Sequence, residues 1–162
     1  MSETHSLLLT SFSLWLVAVY ALRAACFGNP LSRYLAGATE ELICQADELA
    51  THGSEQATPE TLHFVQGFSR RFILGMAVLV LELALLIRLF WIDVLPWLAM
   101  GLLVKGLLFA AIGSLAAGHL RTDDKLLSTL RTLPPWLLHL DRAGALLSGA
   151  GALAFFLVLA SR

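Results

Sequence analysis

Glu82 and Lys105 are the residues best placed for chemistry, because each stands near the middle of a long apolar run. An ionised side chain at the bilayer midplane costs at least about 2.5–3.5 kcal/mol on insertion scales. Glu82 lies eleven residues before Asp93, and Lys105 lies eleven after Val94. A tight turn around Asp93–Val94 would return the chain antiparallel, and equal counts then mean equal depth, at about 1.5 Å of rise per residue. The spacing therefore predicts that the two charges meet across neighbouring helices. Two chemistries fit such a pair. One is a structural ion pair that removes most of the insertion penalty and fixes register. The other is a proton- or ion-coupling site, for which a continuous relay would call for more titratable groups in line than the sequence offers.

Other intramembrane charges are secondary. Arg88 lies towards the Asp93 turn and can snorkel outwards. Arg23 and Asp141 lie a turn or two inside the opposite ends of their runs, and are expected to form a second, shallower pair. His119 and His139 stand near the ends of adjoining runs, where two imidazoles at similar depth could hold a haem or flank a quinone. The position of His119 at a helix end argues against axial ligation. Cys26 and Cys44 have no metal-ligand spacing and are expected to be free thiols on a reducing side. His52 and His63 read as surface residues rather than partners of Cys44. No phosphate-binding glycine loop and no nucleophile elbow is present. The sequence thus points to no catalytic residue, no metal and no cofactor.

The elements that must position these residues follow from composition. The chain is 57% hydrophobic and 14% charged, against roughly 25% charged in soluble domains, and its mean hydropathy is +0.75. This argues against a water-soluble enzyme and excludes a disordered chain or a disulfide-stapled module. A formal net charge of −1 excludes a nucleic-acid binder. A helix needs about 20 apolar residues to cross a bilayer. Four runs reach that length: 7–27, 72–92, 95–118 and 136–160. None alternates as a barrel strand would. The expected fold is an all-α integral membrane bundle of four transmembrane helices with cytoplasmic loop helices. The first run lacks a basic leader, and Arg23 interrupts the faint lipoprotein pattern before Cys26, so it is read as retained.

Lys and Arg concentrate beside the first and third loops: Arg23, Arg33, Arg70, Arg71, Arg121, Lys125, Arg131 and Arg142 lie there, against Arg88 and Arg162 opposite. The positive-inside bias puts loops 28–71 and 119–135 in the cytoplasm and both termini outside, in a bacterial inner membrane. Trp91, Trp97 and Trp136 fall at the interfaces, whereas Trp15 falls mid-run and is read as a packing residue. Asn29 and Pro30 start an amphipathic loop helix that carries Leu31, Leu35, Ala38, Leu42 and Leu49 on one face and Arg33, Glu40, Glu41, Asp47 and Glu48 on the other. Gly53 ends it. Thr58-Pro59-Glu60 opens a helix expected to run unbroken into the second span. An interfacial helix is expected over about 122–133, started by Thr122-Asp123-Asp124 and stopped by Pro134-Pro135.

Small residues mark close packing. Gly106, Ala110, Gly113 and Ala117 form a stripe on the third span, about 110° around from Lys105 at 100° per residue. Gly144, Ser148, Gly151 and Ala152 form another on the fourth, and it includes Asp141. The simplest fit packs the third helix between the second and fourth. These features favour a non-catalytic structural or accessory subunit of a larger membrane complex, in contact with lipid and with other membrane subunits or further copies. The alternatives are an ion- or proton-coupled transporter or channel component using Glu82 and Lys105, and a haem- or quinone-binding redox subunit.

Overall fold

The computed structural model describes residues 3–52, 58–120, 126–131 and 134–161, with side chains for all but 3–4, 50–52, 113–120, 126 and 129. The described residues form seven helices: α1 (Glu3–Phe27), α2 (Pro30–Ala36), α3 (Glu40–His52), α4 (Pro59–Trp91), α5 (Pro96–Leu120), α6 (Leu126–Arg131) and α7 (Pro135–Ala160). Three segments, His5–Ala36, Pro59–Trp91 and Pro135–Ala160, hold helices long and apolar enough to cross a membrane. The described apolar stretch of α5, Pro96–Ile112, is shorter.

Local chemistry accounts for the helix ends. The Thr58 hydroxyl accepts the Thr61 amide at 3.2 Å, and Pro59 and Glu60 follow in the first turn. From there α4 runs 33 residues without a break. It ends in a turn where Asp93 and Leu95 take positive φ, 55° and 47°. Asp tolerates this conformation through local hydrogen bonding, whereas Leu does so at a cost of roughly 1–2 kcal/mol. Between them Val94 is fully buried and anchors the turn. Pro96 then opens α5 as an antiparallel return.

The most extensive helix pairing joins α1 to α7. The partners run antiparallel, because Gly28 lies against Arg142 while Leu22 lies against Gly149. α5 touches both α4 and α7. The core between these helices is built from Leu14, Val17, Leu85, Leu86, Leu89, Val94, Leu102 and Phe155. Trp15 is not part of it: 47% exposed, it stacks on Phe12 on the outer face of α1. The first helix buries Leu14, Val17, Ala18 and Ala21 instead, a register that leaves position 15 outside.

The amphipathic loop helix is two helices rather than one. Gly37 caps α2 with its amide on the Arg33 and Leu35 carbonyls. Thr39 then starts α3, its hydroxyl accepting the Leu42 amide at 3.4 Å, with Glu40 and Glu41 in the first turn. The break turns α3 so that Ile43, Ala46 and Asp47 are its buried face. With Leu35, Phe64 and Leu127 these apolar residues make a second core, clear of the first. Tyr34 closes it, stacked on Phe64 at 5.1 Å with the Arg71 guanidinium 3.9 Å from its ring centroid.

Asp47, expected on a solvated face, is 3% exposed. Its two carboxylate oxygens accept the Leu127 and Ser128 amides at 2.8 and 3.1 Å. These are first-turn donors of α6 with no partner inside the helix. The cap is therefore supplied across the fold by α3, while Thr122-Asp123-Asp124 lie outside the described residues. Replacing Asp47 by Ala is expected to cost about 1–2 kcal/mol. Hydrogen exchange should show the Leu127 and Ser128 amides losing protection before those of α7.

Candidate functional site

Three helices bring polar groups to one point. Glu82 comes from the last third of α4 and Lys105 from α5, and the hairpin geometry places Lys105 Nζ 3.5 Å from Glu82 Oε1. Ser148 comes from α7 and donates its hydroxyl to the same Oε1 at 2.6 Å. Lys105 also donates to the Ser148 Oγ, and to the Gly144 carbonyl one turn earlier at 3.4 Å. The carboxylate thus receives donors from two helices, and the ammonium faces three oxygens. The side chains of Lys105 and Glu82 are 17% and 18% exposed. Apolar residues close the rest. A cavity of about 10 Å³ abuts Glu82 and Ser148, walled by Leu14, Leu102 and Phe155.

The small residues of α7 make this convergence possible. A methyl at Gly144 would lie 2.5 Å from the Phe109 ring, and one at Gly151 2.5 Å from Leu102 Cδ1. At Gly149 it would lie 2.8 Å from Leu22 Cγ and 3.3 Å from the Leu22 backbone nitrogen. α7 is therefore seated on α5 by one set of glycines and on α1 by another. The α5 stripe is different. A methyl at Gly106 would meet nothing within 4 Å among the described residues, and Ala110 is exposed. α5 reaches α7 with its Leu102–Lys105–Phe109 face and turns Gly106 and Ala110 away. The surroundings of Gly113 and Ala117 lie outside the described residues.

The remaining charges are placed separately. Among the described residues Lys105–Glu82 is the ion pair within 4.0 Å, and Arg23 and Asp141 do not form one. Arg23 is exposed on α1, and the residue nearest Asp141 on that side is Asn29, at the start of α2. The antiparallel offset that seats Gly28 on Arg142 brings Asn29, rather than Arg23, to Asp141. Arg88 donates to both the Ser6 hydroxyl and the Ser6 carbonyl, tying α4 to the first turns of α1. His139 and His63 are exposed, and the side chains of His119 and His52 lie outside the described residues. Cys26 is exposed, while Cys44 is half-buried with its Sγ 3.9 Å from Glu48 Oε1. No cluster of three or more His, Cys, Asp or Glu gathers among the described residues.

Ser148 and the Gly144 carbonyl are the members that sequence reasoning missed, having read both positions only as small. Depth counting carries the signal. Lys105 lies thirteen residues before Gly118, and Ser148 twelve after Trp136, so equal rise sets them at nearly one height. Comparison with protein families, curated proteins and solved structures finds no match for this chain.

Proposed function

We propose that this chain is a four-span protein of the bacterial inner membrane, acting as a non-catalytic structural or accessory subunit of a larger membrane assembly. The fourth crossing is α5. Its 25 residues rise about 37 Å, more than the roughly 30 Å hydrocarbon core, and the hairpin returns it alongside α4. The Lys/Arg bias then sets both termini outside, with α2, α3 and α6 at the cytoplasmic face. One observation carries the subunit reading. The glycines of α7 are filled by Phe109, Leu102 and Leu22, whereas the small face of α5 at Gly106 and Ala110 stands open. Small residues on a lipid-facing helix forgo packing unless another backbone approaches, which is their usual service in membranes.

Purification in gentle detergent followed by native mass spectrometry tests this reading. The wild-type chain is expected to carry a companion subunit or further copies. A Gly106→Leu/Ala110→Leu variant is expected to lose them while keeping its helix content. A wild-type chain recovered only as a bare monomer overturns the proposal.

A further inference from the structure

Lys105 sits where a small inorganic cation would sit. Its ammonium is faced by Glu82 Oε1 at 3.5 Å, the Gly144 carbonyl at 3.4 Å and the Ser148 hydroxyl oxygen. All three donors are oxygens, the ligand type preferred by hard cations. They come from α4 and α7, so the site does not depend on α5 for any ligand. Together they carry one formal negative charge, which matches a monovalent ion and leaves a divalent one uncompensated. Ser148 donates its proton to Glu82, which leaves its lone pairs directed at the central position.

We propose that Glu82, Ser148 and the Gly144 carbonyl form a binding site for a monovalent alkali cation of the sodium class, and that Lys105 is its tethered competitor. Two positive charges beside one carboxylate are not tolerated in a low-dielectric surrounding. Sodium binding and the Lys105–Glu82 contact are therefore mutually exclusive, and an arriving ion displaces the ammonium on its flexible stem. The inference goes beyond the subunit reading and stands whether or not the chain has a partner.

The test uses the purified full chain in detergent, comparing sodium chloride with choline chloride at matched ionic strength. In Lys105→Met the competitor is gone. Sodium at tenfold excess over its Kd is expected to raise the thermal midpoint by about 3–6 °C over choline. In Glu82→Gln/Lys105→Met that difference is expected to vanish. Equal midpoints in the two salts for Lys105→Met, or a sodium response that survives in the double variant, would overturn the proposal. If Lys105→Met does not fold, the wild-type chain decides. Acetylation of Lys105 by acetic anhydride, read by mass spectrometry and normalised to Lys125, the other lysine, is expected to rise several-fold in sodium. An unchanged ratio refutes displacement.

Discussion

Changing Glu82 to Gln alone, or Lys105 to Met alone, is expected to destabilise the bundle by about 3–5 kcal/mol, and changing both is expected to recover most of that loss. Each single change leaves a charge behind. Without the carboxylate, the Lys105 ammonium keeps only neutral acceptors, the Gly144 carbonyl, the Ser148 hydroxyl and the new amide oxygen. Without the ammonium, Glu82 keeps a full charge with Ser148 as its remaining donor. Either leaves an uncompensated charge against Leu14, Leu102 and Phe155, where dielectric screening is weak. Removing both leaves two uncharged side chains and a satisfied Ser148. A double-mutant cycle on unfolding in mixed micelles, run in choline salts, measures the coupling directly. Additive single effects would show that the two side chains do not act as a pair. Ser148→Ala is expected to fall lower, near 1–3 kcal/mol, since it removes a hydrogen-bonding group but no charge.

The second large effect is steric. Gly149→Val is expected to cost about 1–3 kcal/mol or more and to separate α7 from α1. The new Cβ would meet Leu22 Cγ at 2.8 Å and Cδ2 at 2.9 Å, and these could turn away. The Leu22 backbone nitrogen at 3.3 Å could not, and a β-branched side chain adds two further methyls. The helix pair must therefore part. Because α1–α7 is the most extensive contact in the fold, the loss should appear in thermal unfolding and as new proteolytic cleavage within α1. Gly106→Ala is the matched control. It adds a methyl with no neighbour within 4 Å, and is expected to be neutral or stabilising by up to about 1 kcal/mol through helix propensity. Equal losses at the two positions would contradict the packing described here.

These expectations rest on features of unequal legibility. The matched height of Glu82 and Lys105 can be counted from Asp93 and Val94, because helical rise is fixed and the turn is short. The start of α4 is written in Thr58-Pro59-Glu60 for the same reason: caps are local. The break between α2 and α3 is local too, at Gly37 and Thr39, but the apolar periodicity running across it concealed the interruption. Asp47 was illegible as a cap, since the donors it satisfies lie eighty residues away on α6. The partner of α1 was equally hidden. Apolar residues surround that helix on all sides, so neither its buried face nor the exposure of Trp15 follows from periodicity. Arg23 and Asp141 do not share a depth: Leu22 lies against Gly149 and Gly28 against Arg142, and this offset between α1 and α7 cannot be counted across the long stretch that separates them in sequence.

The pairing of the first helix with the last also sets the order of events during synthesis. α1 leaves the ribosome before the other helices described, but the groove formed by Gly149 and its neighbours emerges about 120 residues later. At roughly 5–20 residues per second, α1 waits on the order of 5–20 seconds for its mate. The α4–α5 hairpin can close meanwhile, but Ser148 and the Gly144 carbonyl join last. A nascent chain stalled before α7 would therefore carry Glu82 and Lys105 joined only to each other, without the oxygens of Ser148 and Gly144.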